Sequence, residues 1–178
     1  MFDRFKLVAE TKNGGVSDEE LMALMSDELY QPVDLWKLMD LQVVAGTRGM
    51  PTATVKLMGP DGMPKVHCAV GTGPVDAAYK AVDLALQVPC ELTEYTMQAV
   101  TGGIEALAAT KVQIKGTASG LKYDRSFSGS GTDTDIVVSS VRAYINALNK
   151  MIDYVSKRRD KETSMSAQDE PEVATANN

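Results

Sequence analysis

The sequence predicts an α+β fold built from two successive βββα units, preceded by a short helical segment. Three observations lead there. Apolar residues alternate with polar ones in short runs over 41–70 and again over 92–128. Each set of runs ends in a Gly-x-Gly, Gly71-Thr72-Gly73 and Gly129-Ser130-Gly131, and each is followed by a stretch with helical apolar spacing. The halves share this order but little identity, so the repeat is one of topology, and its period is too long for a solenoid.

Taken in order, Phe2, Phe5, Val8 and Ala9 have helical spacing, and Asn13-Gly14-Gly15 stops that turn of chain. Ser17-Asp18-Glu19-Glu20 matches a capping box, in which Ser17 caps and Glu20 reaches back to a free N–H. Leu21, Leu24, Met25 and Leu29 then stripe a second helix that ends by Pro32. Residues 1–36 are therefore read as a helical linker subdomain, too small to stand alone. Leu41–Ala45 and Thr52–Met58 read as strands, with Gly59-Pro60-Asp61-Gly62 turning the chain into a third at Lys65–Val70. Pro74 opens a helix at a position where its missing N–H has no cost, and the helix presents Val75, Ala78, Tyr79, Val82 and Leu86 to about Gln87. Leu92–Val100, Ala106–Lys115 and Tyr123–Ser128 are the strands of the second unit. Its helix carries Ile136, Ser140, Val141, Tyr144, Ile145, Leu148 and Ile152 on its apolar side. The expected divisions are thus 1–36, 37–156 for the repeat domain, and 157–178 as a polar, disordered tail.

Bulk properties narrow the function. With 178 residues the chain can bury one sizeable core. A net charge of −6 argues against a general nucleic-acid binder, which needs a basic surface. No run approaches the roughly 18 apolar residues of a membrane span, and the first residues lack the pattern of a targeting segment. Cys68 and Cys90 lack metal-ligand spacing and read as reduced thiols. His67 is the single histidine, and no nucleophile–base–acid set accompanies it. Neither a catalytic residue nor a metal site is expected, and the chain alone is not read as an active enzyme.

The glycine corners could suggest a nucleotide site. However, Asp76 stands where a dinucleotide fingerprint needs a third small residue, and no Gly-Lys-Ser/Thr is present. A small-anion site fits better. A helix N-terminus offers unpaired N–H groups and partial positive charge, which suit a carboxylate, and glycine lets a ligand approach the backbone. Val75, Leu92, Ala99, Ala106 and Ile136 could supply an aliphatic wall, and Asp76 or Asp135 could hold an ammonium group. Together these describe a free aliphatic amino acid. The plainer alternative is that the glycines make sharp turns and that the two acids complement the helix dipoles.

Three ordered stretches carry a resemblance: Gly71-Thr72-Gly73-Pro74-Val75-Asp76-Ala77-Ala78-Tyr79-Lys80-Ala81; Tyr95-Thr96-Met97-Gln98-Ala99-Val100-Thr101 with Gly103, Glu105 and Ala106; and Gly131 through Ser140, continuing to Ala143–Lys150. They resemble the C-terminal regulatory domain of the 2-isopropylmalate synthase family, in wording nearest to its plant, plastid members. Residues 2–30 resemble the family's helical linker. The resemblance implies a dimerising domain of two βββα units that binds leucine and inhibits a distant catalytic barrel. Carried over by motif, the leucine contacts would be Gly71, Gly73, Val75, Leu92, Tyr95, Ala99, Ala106 and Ile136, with Tyr95 as a lid. The family's divalent metal belongs to the barrel, whose residues are absent here, so no cofactor is expected in this chain. The implied partners are leucine, a second copy, and a barrel in cis or in trans, in the plastid stroma. Two rivals stay open: an isoleucine-sensing domain like that of citramalate synthases, and a purely structural dimerisation module.

Overall fold

The computed structural model describes residues 35–99, 107–117 and 125–166. The expected helical linker up to residue 34, Ala106 and the tail beyond 166 lie outside these residues. Within them the chain forms two three-stranded antiparallel sheets, each followed by a helix. The first unit comprises β1 (Lys37–Val44), β2 (Thr52–Met58), β3 (Pro64–Val70) and α1 (Pro74–Leu86). The second comprises β4 (Cys90–Ala99), β5 (Ala108–Gly116), β6 (Ser126–Asp133) and α2 (Ile136–Ser166). The sheet orders are β1-β2-β3 and β4-β5-β6, so each middle strand is the second of its unit. The expected pair of βββα units is therefore present.

Alternation in the middle strands explains which face is covered. Ala53, Val55 and Leu57 on β2, and Ala108, Thr110, Val112 and Ile114 on β5, point into the core, while Lys56, Lys111 and Lys115 point to solvent. α1 covers the first sheet with small residues (Ala77, Ala78, Ala81 and Ala85) beside Tyr79 and Val82. α2 covers the second with Val141, Ala143, Tyr144, Ile145, Ala147, Leu148 and Met151. The helices also pack on each other, so the two units share a single core.

The repeat extends to an irregularity. β1 bulges between Leu38 and Asp40, and β4 bulges between Leu92 and Glu94. The partners flanking these bulges, Leu57 on β2 and Ile114 on β5, hold equivalent places. Following the ladders across, Lys65 faces Leu57 and Phe127 faces Ile114. Counting on from that pair, Gly73 corresponds to Asp135.

This registration corrects the sequence reading of the second corner. Gly129 and Gly131 lie inside β6, which runs on to Asp133, and do not form a turn. A Cβ at Gly129 would overlap the Ala143 carbonyl and the Ala147 amide of α2, and one at Gly131 would overlap the Ser139 carbonyl. These glycines let strand and helix backbones approach closely, a role opposite in kind to loop-making. The second difference is at the end of α2. The polar chain from Lys157 was expected to lack structure, but the helix continues to Ser166. Local interactions favour it: the Lys157 ammonium donates to Asp153 Oδ2 at 2.8 Å, one turn away.

Candidate functional site

The two helices begin at corners that differ in kind. At the first, Gly73 is the N-cap of α1, in extended conformation with φ −156° and with no side-chain cap, and Pro74 follows. Among the described residues, nothing lies within 4 Å of where a Cβ on Gly73 would project. The amides of Val75 and Asp76 fall in the first turn, where helix geometry provides no acceptor. At the second, Asp135 caps its own helix: its Oδ1 accepts from the Val137 amide at 2.7 Å and the Val138 amide at 3.2 Å. The Val137 and Val138 amides of α2 are thus occupied, whereas among the described residues no side chain caps α1.

Gly71, by contrast, is a packing residue. Its amide donates to the Pro51 carbonyl at 2.9 Å, and a Cβ there would run into the backbone of Ala77 and the Asp76 carboxylate, 2.7 Å from Oδ2. Asp76 uses that oxygen to accept from the Thr72 amide at 2.7 Å, the Thr72 hydroxyl at 3.2 Å and Lys80 Nζ at 2.9 Å. These partners, Lys80 foremost, hold its pKa below the usual carboxylate range.

Across from the corners, the bulge in β4 determines which side chains face the helices. The extra residue, Thr93, lets both Leu92 (opposite Ile114) and Tyr95 (opposite Val112) lie on the core side, followed by Met97 and Ala99. The row is only half covered: Leu92 is 39% exposed, Tyr95 41% and Met97 44%. It extends about 20 Å along the strand, since Ile114 and Ala108 are six residues apart. One small ligand can therefore touch only part of it. Tyr95 is tied to α2, where its hydroxyl lies 2.8 Å from Ser140 Oγ. Ser140 Oγ donates to the Ile136 carbonyl at 2.6 Å, which leaves Tyr95 as the donor in the first contact. Ile136, 48% exposed, opens α2 beside them.

The two helices meet in their second turns. Tyr79 on α1, one turn beyond Val75, donates its hydroxyl to the Ser140 carbonyl at 3.1 Å, and it lies near enough to Tyr95 for the two to interact electrostatically. Tyr95 and Ile136 thus meet at Ser140, which Tyr79 also reaches, with Val75 one turn before Tyr79 on α1, whereas Leu92 lies farther along β4, toward Cys90. Neither Met97 nor Ser140 was among the expected site residues, although Met97 shares the alternation of Tyr95 and Ala99 and Ser140 was placed on the apolar side of the last helix.

Behind this cluster is a polar seam that the sequence did not announce. The rings of Tyr79 and Tyr144 stack at 4.3 Å, worth about 0.5–1.5 kcal/mol beyond the area they bury. Tyr144 donates to Asp83 Oδ1 at 2.7 Å, and Cys90 Sγ lies 3.3 Å from the same hydroxyl. Burial raises the pKa of Asp83, of Cys90 and of both tyrosines. The Cys90 thiol is therefore kept protonated, and the seam is a structural link between units with no activated nucleophile. Among the described residues, no three His, Cys, Asp or Glu side chains converge as metal ligands.

A family model described as the LeuA allosteric (dimerisation) domain matches residues 15–152. Similar proteins include 2-isopropylmalate synthase B of Solanum pennellii and the chloroplastic 2-isopropylmalate synthase 2 of Arabidopsis thaliana. Each is 53% identical over 162 residues, covering 86% of this chain and 26% of the relative. The 2-isopropylmalate synthase of Gloeobacter violaceus is 45% identical over 150 residues, covering 84% of the chain and 27% of the relative. The chain thus spans about a quarter of the length of these relatives.

Proposed function

Given that the chain belongs to the LeuA allosteric (dimerisation) domain family, we propose that it is the leucine-sensing and self-associating part of a plant-type 2-isopropylmalate synthase. In this reading leucine settles between the two units, and its binding is the feedback signal of leucine biosynthesis, delivered to a catalytic barrel in cis or in trans. The observation that supports this most is the asymmetry of the corners. α2 satisfies its Val137 and Val138 amides through Asp135, while among the described residues no side chain caps α1 at Gly73, and Tyr95 and Ile136 meet at Ser140 on α2.

The chemistry follows from those groups. A carboxylate would rest on the first-turn amides of Val75 and Asp76, favoured by the helix dipole. The ammonium group falls to Asp76 or Asp135, each of which uses one carboxylate oxygen for the internal bonds described above. The branched side chain would lie against Tyr95 and Ile136, whose exposed area is otherwise wet. Leucine and isoleucine differ in branching, which a pocket wall separates by about 1–3 kcal/mol. Self-association gains support from exposed Val44, Val66 and Val70, which lie on the outer face of the first sheet. A plastid location is proposed from the chloroplastic Arabidopsis relative.

Parallel calorimetric titration with leucine and isoleucine tests the proposal, with light scattering for the dimer. A stronger response to leucine supports it, and a stronger response to isoleucine moves the chain to the citramalate-type reading. A stable dimer that ignores both amino acids leaves only a structural module.

A further inference from the structure

Far from the glycine corner, one fully buried polar side chain has an unusual assignment. Asn149 on α2 is 2% exposed and spends both ends of its amide on the backbone of a single distant residue. The Trp36 amide donates to Asn149 Oδ1 at 2.9 Å, and Asn149 Nδ2 donates to the Trp36 carbonyl at 2.9 Å. Trp36 immediately precedes β1. It is held from the other unit as well: Lys65 Nζ on β3 sits 4.8 Å from the centre of its ring and donates to the Ala85 carbonyl at 3.3 Å, near the C-terminal end of α1. Trp36 is therefore gripped by α2 through Asn149 and linked to α1 through Lys65.

The opposite end of the same helix pair is the ligand corner, where Ser140 receives Tyr95 and Tyr79. Ser140 and Asn149 are nine residues apart, which is two and a half turns, about 13 Å, and opposite faces of α2. A rigid shift or roll of α2 against α1 must then move both contacts together.

We infer that Trp36, clamped by Asn149 and Lys65, is the output of the sensor: it converts the setting of α2 against α1 into the position of the chain N-terminal to β1. Ser140 and Asn149 act as positioning residues at the input and output ends. The inference rests on the proposed ligand corner for its trigger, but the coupling itself is a property of the fold and can be measured without ligand.

Trp36 is the single tryptophan of the chain, so its emission reports this site alone. The experiment follows Trp36 emission and exchange of the Trp36 amide in the wild type, Ser140→Ala, Asn149→Asp and the double variant, with and without leucine. Ser140→Ala removes the hydroxyl that meets Tyr95 and leaves a good helix former. Without ligand it is expected to speed Trp36 amide exchange by about fivefold and to shift the emission, in the range of ordinary coupling between sites. In the Asn149→Asp background, which removes the donor to the Trp36 carbonyl, Ser140→Ala should have no further effect. Saturating leucine should shift Trp36 emission in the wild type and shift it less in either single variant. Should Asn149→Asp fail to fold, Lys65→Met, at an exposed position, takes its place in the cycle.

Unchanged emission and exchange in ligand-free Ser140→Ala overturns the coupling. Additive effects of Ser140→Ala and the clamp variant also overturn it. Absence of any calorimetric response to leucine refutes the proposed ligand instead, and the ligand-free cycle still decides the coupling.

Discussion

Replacing Gly131 by alanine adds one methyl group to a strand whose neighbour across the gap is the backbone of α2. That methyl would lie 2.7 Å from the Ala143 amide nitrogen and 2.9 Å from Arg142 Cβ, and nearer still to the Ser139 carbonyl oxygen. Normal separations for such atoms are about 3.5 Å, so helix and strand must part by about 1 Å. Backbone atoms inside a helix cannot rotate aside as a side-chain tip can. A gap of that size forfeits a quarter to a half of each dispersion contact along the interface, which here includes Val112, Val141 and Ala143. Overpacking usually costs about 1–3 kcal/mol, and this site belongs at the upper end, near 3 kcal/mol. In a chain of 178 residues that lowers Tm by about 6–12 °C. Gly46→Ala is the control, because no described residue lies within 4 Å of its added Cβ. Thermal and urea unfolding of both variants provide the measurement. A Gly131→Ala melting temperature indistinguishable from that of Gly46→Ala would show that the close strand–helix approach is not what the glycine serves.

Three other outcomes are expected. Gly73→Ala should change stability by only about 0.5 kcal/mol, the order of an N-cap exchange, because its Cβ enters open space. It should nonetheless weaken leucine binding by about tenfold or more by filling the ligand's approach; unaltered calorimetric affinity would remove the corner from the site. Tyr144→Phe leaves the half-buried Asp83 carboxylate without its donor and should cost about 1–3 kcal/mol in denaturant unfolding; a loss no larger than that of a surface substitution would contradict the assigned seam. Asp83→Asn tests the sign of a pH effect. Burial raises the folded pKa of Asp83 above its ordinary 3.8, so the folded chain binds more protons than the unfolded one. Stability from this group is therefore full below the ordinary value and is lost as pH rises through the raised one. The asparagine variant should gain on the wild type as pH rises above the ordinary carboxylate value, and a difference that stays flat or runs the other way contradicts the assignment.

Much of the fold was legible because alternation in β2 and β5 is strict and each middle strand is wet on one face only. The start of α1 was equally plain, since proline follows glycine at its first turn. The end of β6 was not. Gly129-Ser130-Gly131 has the composition of a loop, and only the proximity of α2, a tertiary fact, makes glycine the residue that fits within a strand. The last turns of α2 were missed because a polar segment without apolar spacing gives no signal of packing, while side-chain pairs such as Asp153 with Lys157 support helix locally. Among the expected site residues, Gly73, Val75, Tyr95 and Ile136 were named from their motifs alone. The contrast between an open α1 terminus and a self-capped α2 terminus depended on the true register of the two units, which places Asp135 opposite Gly73. The link from Ser140 through Tyr79 to Tyr144 and Asp83 joins residues about sixty positions apart, and nothing in the local pattern marks them as neighbours.

Thr93 is the supernumerary residue that brings Leu92 and Tyr95 to the same side of β4. Deleting it would make Leu92, Glu94 and Tyr95 consecutive, a regular alternation that keeps Leu92 opposite Ile114 and Tyr95 opposite Val112 without any bulge. The face that this strand turns to the helices is therefore held by its pairing with β5 and tolerates a change in chain length at this one point. A one-residue gap here alters local twist and leaves the row of facing side chains as it was, whereas a gap between Tyr95 and Ala99 would turn part of that row over.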